Sequence, residues 1–187
     1  MPKNLSHAEW TGKVLNFWFG HLSPEAWFKK DAATDAIIRN RFGDLYGEVS
    51  TALPLEATES ARGSLAAVIV LDQFPRNMFR DFPKAFLTDR NALELAQSAI
   101  DRGLDKDLPA EQRQFLYMPF QRSEDREVQL QSVELFAGLD DADALEYARR
   151  HLEIIDRFGR FPHRNAALGR TSTPEEVDFL REPDSFF

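Results

Sequence analysis

Seven consecutive apolar residues, Leu65-Ala66-Ala67-Val68-Ile69-Val70-Leu71, limit the fold more than any other feature of the chain. A segment that is apolar on every side must be covered on every side, so it belongs at the centre of a domain. Its residues would tolerate a strand, but no neighbouring segment offers a sheet partner. The pattern predicts a buried central helix over residues 64–74, ended by Pro75. The run is far too short to cross a bilayer.

Helix signals surround this segment from end to end. Ser6 and Glu9 read as a capping box before Trp10, Val14, Leu15 and Trp18. Ser23-Pro24 opens a short segment with Trp27 and Phe28. Between residues 31 and 50, Ile37, Ile38, Phe42, Leu45, Tyr46 and Val49 recur at three- and four-residue spacing. Gly43 and Gly47 weaken that helix by about 1 kcal/mol each. Further helices are expected over 89–102, closed by Gly103, and over 109–118, closed by Pro119. Ser123 is expected to cap 124–136, and Gly159 to close 142–158. Thr173-Pro174-Glu175-Glu176 starts a last helix through residue 180. With short connections throughout, residues 1–187 read as a single all-α domain of about eight or nine helices, packed as antiparallel pairs.

Composition narrows the function classes. The chain has 31 acidic and 23 basic residues, a net charge of −8, which disfavours a general nucleic-acid binder. Of the basic residues 17 are Arg and 6 are Lys, which favours planar, bidentate contacts to carboxylate or phosphate. Sixteen Phe residues suggest an interior built on their rings. No cysteine is present, so disulfides, Cys-based zinc sites and thiol nucleophiles are excluded. The beginning, MPKNLSHAEW, holds no apolar run of signal-peptide length. A cytoplasmic protein with no membrane contact is expected. Nucleotide-binding glycine motifs, zinc-hydrolase, EF-hand and serine-hydrolase signatures are missing, as is a Glu-x-x-His pair. No cofactor is therefore expected, and no metal.

Three segments concentrate polar residues in apolar surroundings. In the first, Asp72 and Gln73 follow the apolar run, with Arg76 and Asn77 close behind. The second is Tyr117-Met118-Pro119-Phe120-Gln121-Arg122-Ser123-Glu124-Asp125. The third, Phe158-Gly159-Arg160-Phe161-Pro162-His163-Arg164-Asn165, echoes the Phe-Pro and Arg-Asn pattern of the first. A buried Asp72 needs a cationic or donor partner. Pro75 is expected to swing Arg76 away from it, which leaves Arg122, Arg160 and Arg164 as candidates, so the segments should meet in space. Glu124 and Asp125 suit the first turn of a helix and its dipole. His151 reads as a structural residue of an amphipathic helix, whereas His163 stands in a polar turn.

These segments, with Val14-Leu15-Asn16-Phe17-Trp18-Phe19-Gly20, Trp27-Phe28-Lys29-Lys30-Asp31 and Leu168-Gly169-Arg170-Thr171-Ser172-Thr173-Pro174-Glu175-Glu176, run nearly the length of the chain. In that order they resemble the uncharacterised bacterial family catalogued as domain of unknown function 924. The resemblance implies an all-helical, tetratricopeptide-like α–α superhelix and carries over no activity. Family members often have His where this chain has Arg122, so a mechanism needing an imidazole there is not implied.

The function expected is a pocket that binds a small anionic metabolite or a carboxylate group through Arg76, Asn77, Arg122, Asp125, Arg160, Arg164 and Asn165. If the protein is an enzyme, Asp72 or Glu124 would act as acid or base and His163 as proton carrier. The alternative is a scaffold whose concave helical surface holds a peptide or its C-terminal carboxylate.

Overall fold

The computed structural model describes residues 7–183 and 185, and among these every regular element is helical. Ser6, the expected cap of the first helix, lies outside the described residues. The helical segments are α1 (His7–Leu15), α2 (Pro24–Trp27), α3 (Ala32–Thr51), α4 (Leu55–Glu59), α5 (Ala61–Val68), α6 (Phe74–Met78), α7 (Asp89–Asp101), α8 (Ala110–Gln121), α9 (Arg126–Ala137), α10 (Ala142–Phe158) and α11 (Pro174–Phe179). A π turn over Ile69–Gln73 joins α5 to α6 as one rod. Among the described residues ten helices then stand where about eight or nine were expected, because short segments such as α4 carry little periodicity of their own.

The apolar run forms the rod at the centre, and residues 63–75 are all buried. The rod does not end at Pro75. In the π turn the Phe74 N–H donates to the Ile69 carbonyl, five residues back. The wider turn shifts the hydrogen-bond ladder so that Pro75 falls in the first turn of α6, where its missing N–H is no loss. Pro119 likewise lies inside α8, which continues to Gln121. At both places helix continuity overrides the stop signal in the sequence.

Aromatic rings cover the rod. Phe74 lies 4.7 Å from Phe42 of α3 and 5.9 Å from Trp18, centroid to centroid. Trp18 in turn meets Phe115 of α8 edge-on at 5.6 Å. Burying a ring of this size stabilises by roughly 1.5–3 kcal/mol. Asp31 caps α3 by accepting from the Ala33 and Thr34 N–H groups, and α3 runs through Gly43 and Gly47 without a break. Where α4 crosses α5, a Cβ at Gly63 would collide with the Glu56 carbonyl, so only glycine permits that approach.

In the second half, α7 and α8 pack along α5 and the π turn of the rod. Short connections fold α8, α9 and α10 back on one another. Asp125, not Ser123, caps α9: its carboxylate accepts from the Glu127 and Val128 N–H groups at 2.8 and 3.2 Å. Gly159 ends α10 at φ +67°, a left-handed conformation that favours glycine. The capping box at Thr173 and Glu176 forms as its sequence signal indicates. Thr88 anchors the start of α7 by donating its hydroxyl to the Leu71 carbonyl at 2.6 Å. Asp89 is thereby set beside the end of the rod, near Arg122 at the end of α8 and the 3-10 turn Pro162–Arg164.

Candidate functional site

The partner of Asp72 is Arg76. A helix that continues through Pro75 keeps residues four apart on one face, so Arg76 stays close instead of swinging away. Its Nη1 donates to an Asp72 carboxylate oxygen at 3.0 Å and to the Asp72 carbonyl at 2.8 Å. The same guanidinium grips Asp89 with two bonds, at 2.8 and 2.9 Å. Gln73 also donates to the fully buried Asp72 carboxylate. Burial works against the charge on Arg76, but Asp72 and Asp89 more than offset it and push its pKa up.

Two more arginines join this pair. Arg164, 5% exposed, donates from Nη1 to the Arg122 carbonyl at 3.0 Å and stands 3.6 Å from Asp89. Arg122 and Arg164 come from the second and third segments, so the three segments meet. Phe86, on the 3-10 turn Pro83–Phe86, is the ring they share: Arg76 and Arg164 lie over it at 5.5 and 5.0 Å from its centroid. Arg164 also lies 4.5 Å over Phe161. Such contacts supply about 0.5–2 kcal/mol of cation stabilisation but no negative charge.

The charges here do not balance. Among the described residues three guanidinium groups face the carboxylates of Asp72 and Asp89, and Glu124, itself held by Arg170, also attracts Arg164. Arg122 is the least satisfied. Among the described residues its guanidinium makes no hydrogen bond or ion pair, and its Nε is out of contact with solvent. The Nε of Arg164 is equally buried and without an acceptor. Burial, and next the repulsion of Arg76, push Arg122 down to about 10 and Arg164 to about 9. His163 feels the same surplus. Burial and then Arg164, Arg122, His151 and Arg76 hold its pKa down to about 3, which leaves the imidazole neutral. His151 is also held near 3, chiefly by burial, while its Nδ1 bonds the Tyr147 carbonyl at 2.7 Å.

The other expected residues are engaged elsewhere. Glu124 accepts two bonds from Arg170, at 2.7 and 2.9 Å, and one from the Phe161 N–H at 2.8 Å. Burial opposes its charge, but Arg170 and the Phe161 N–H outweigh burial and lower its pKa. Arg170 also donates to Asn165, whose amide reaches Glu176 at 3.2 Å. Arg160 holds Glu176 with two bonds, at 2.6 and 2.8 Å. Asn77 turns to Asp35 of α3, as Arg80 does. Asp125 is spent on its cap. Thus Arg76, Arg122, Arg164, Asp72 and His163 come together. Glu124, Asn165 and Arg160 form a separate tie, and Asn77 and Asp125 join neither.

Sequence reasoning missed Asp89 and Phe86. In the sequence Asp89 is one more acid in the first turn of a helix, and Phe86 is one Phe of sixteen. Nothing local marks either as a neighbour of Arg76. Surface cavities occur elsewhere. One of about 490 Å3 lies between α3 and the start of α7, lined by Tyr46, Phe79 and Lys84, and one of about 260 Å3 lies against Phe158 and Phe179. Among the described residues no group of three or more His, Asp or Glu side chains is arranged to hold a metal ion. Among the described residues no helix is long and apolar enough to cross a membrane.

Comparison with known proteins gives three findings. The model of the family described as "Bacterial protein of unknown function (DUF924)" matches residues 14–184. A solved structure, that of a protein of unknown function from Agrobacterium tumefaciens, is similar with a TM-score of 0.90 at 38% identity. The match covers 94% of this chain and 99% of that one. No match is found among curated proteins.

Proposed function

The chain belongs to this bacterial family of unknown function, and on that premise we propose that it binds a small anionic ligand at the cluster of Arg76, Arg122 and Arg164. One observation carries the reading: the Arg122 guanidinium has neither a hydrogen-bond acceptor nor an ion pair among the described residues. Arg122 is half-buried with its Nε shut off from solvent, and a cation so placed gains from an anionic partner, which a bound anion would supply. A ligand would complete the charge balance that Asp72 and Asp89 leave one short among the described residues. Access is supported by the residual exposure of Arg76 and Asp89, 14% and 19% of their side chains.

Binding is better supported than turnover. Asp72 is locked to Arg76 and Gln73, and Glu124 to Arg170, so neither offers an unengaged carboxylate as acid or base. We take the protein as cytoplasmic, a reading that rests on its lack of cysteine, and its helix pairs as a tetratricopeptide-like superhelix.

A thermal-shift screen of small carboxylates and phosphorylated metabolites tests the proposal. A ligand at 100 times its Kd should stabilise by about 2.7 kcal/mol, and Arg122→Gln should abolish that shift. If no anion shifts the native protein, the proposal fails.

A further inference from the structure

The larger surface cavity, about 490 Å3 between α3 and the start of α7, is lined by no member of either arginine cluster. Its volume is that of a small-molecule site. We propose that it is a second binding site, and that its ligand is a small molecule joining a flat aromatic ring to a carboxylate.

The floor of the cavity is the face of α3 that carries Gly43 and Gly47, four residues apart. Both lie inside a helix, where glycine is disfavoured relative to alanine. Nothing in the described protein needs the space that they leave, because a Cβ at either position meets no atom within 4 Å. Packing inside the protein therefore does not account for glycine at either place. What they provide is bare backbone, against which a ring can lie closer than any side chain would permit. The Tyr46 and Phe79 rings, 5.6 Å apart, stand beside this floor. Leu87, 70% exposed, adds an apolar edge.

Tyr46 supplies a polar handle. It is 5% exposed, it lines the cavity, and its hydroxyl makes no hydrogen bond among the described residues. A buried tyrosine hydroxyl ordinarily finds a partner. This one is not among the polar atoms sealed from solvent, so it opens into the cavity that its side chain lines.

The lining charge selects the other end of the ligand. Among the described residues that line the cavity, Lys84 is the one cation and there is no carboxylate. The Lys84 ammonium lies 4.3 Å over the Phe79 ring and makes no ion pair among the described residues. The Ser50 and Thr51 hydroxyls donate back to the Gly47 carbonyl, and Thr88 donates to Leu71. The donors left without an acceptor are those of Tyr46, Lys84 and Asn91. Tyr46 and Lys84 flank the same ring, Phe79. A carboxylate between them accepts from both while its ring rests on the glycine floor.

Isothermal titration calorimetry on the full chain with benzoate, benzamide and acetate tests the site, in the native protein and in Arg122→Gln, which silences the arginine cluster. In both, benzoate is expected to bind. Benzamide lacks the charge and acetate lacks the ring, so in Arg122→Gln each should bind about tenfold more weakly or worse. Gly47→Leu fills the cavity and should abolish benzoate binding while the melting temperature stays level or rises. Tyr46→Phe should weaken benzoate about tenfold, the loss of a hydrogen bond to a charged group. Lys84→Gln, at an exposed position, should weaken it about threefold to fivefold. If Gly47→Leu fails to fold, these two variants decide the matter. Benzoate binding that Arg122→Gln removes would place benzoate at the arginine cluster and overturn this inference while the anion-binding reading stands. Binding in Arg122→Gln that ignores both Tyr46→Phe and Lys84→Gln, or that a folded Gly47→Leu retains, would overturn the cavity as the site. Acetate as tight as benzoate in Arg122→Gln would overturn the aromatic ligand. No benzoate binding to either protein overturns the inference outright and leaves the arginine cluster to its own screen.

Discussion

Two polar clusters lie side by side, built from the same residue types to opposite ends. In one, Arg170 and Arg160 meet Glu124 and Glu176, with Asn165 between them. Two cations face two anions, and every group named is bonded. In the other, Arg76, Arg122 and Arg164 face Asp72 and Asp89, and one guanidinium has no acceptor among the described residues. The balanced cluster ties the α8–α9 turn to the start of α11 and needs nothing further. The unbalanced one is stable only to the extent that rings, backbone oxygens or a bound anion offset its surplus. The number of arginines is therefore a poor guide to function, and the charge left over after pairing is a better one.

The largest test of this contrast is Asp72→Ala. It leaves three guanidinium groups with one carboxylate in a buried place, and should lower unfolding stability by about 3–5 kcal/mol in urea denaturation. A loss under about 1 kcal/mol would mean that the cluster tolerates surplus charge easily, and the contrast would dissolve. Next comes Glu124→Gln, which breaks the two-pronged bond to Arg170. A loss of about 2 kcal/mol is expected, with the response to anions unchanged. A weakened anion response would merge the two clusters into one functional site.

The third test is pH. His151 and His163 are both held near 3 in the folded protein, against an ordinary value of 6.5. Below pH 6.5 the unfolded chain binds protons that the folded chain refuses. Their contribution is complete above 6.5 and is lost as pH falls toward 3, at up to about 1.4 kcal/mol per pH unit for each histidine. Urea denaturation at pH 7.5, 6 and 5 should show the decline, and His163→Gln should make it shallower. Glu176 behaves differently because Arg160 holds it near 2: its contribution is lost only as pH falls from about 4.5 toward 2. A decline that begins only below 4.5 would place the acid-sensitive groups in the balanced cluster instead.

Much of the fold was legible because its signals are local. Residues 65–71 could only be central, and Thr173 with Glu176 announced a helix start within four residues. Pro75 misled because its effect depends on the turn before it, and nothing in the spacing signals a π turn. The site was half legible. Arg76 and Arg164 stood out as arginines beside asparagines in two similar segments, and Arg122 in the polar segment between them. Their sorting did not, because Arg160 and Arg170 look the same in sequence and differ only in meeting Glu176 and Glu124 across space. Asn77 drew notice for its place after Arg76, yet the turn of α6 aims it at Asp35. Asp89 was hidden by a sufficient local explanation, the helix dipole.

The most direct test makes the same substitution in both clusters and expects the smallest effect where sequence would expect a large one. Arg170→Gln and Arg122→Gln would each be unfolded in urea at pH 7.5, in buffer without carboxylate, phosphate or sulfate. Arg170→Gln should lose about 2 kcal/mol, because Glu124 is left without its partner. Arg122→Gln should lose nothing and could gain up to about 1 kcal/mol, because it removes a half-buried charge that has no ion pair among the described residues. If Arg122→Gln destabilises the protein as much as Arg170→Gln does, then Arg122 is paired after all, and the site has no charge to offer a ligand.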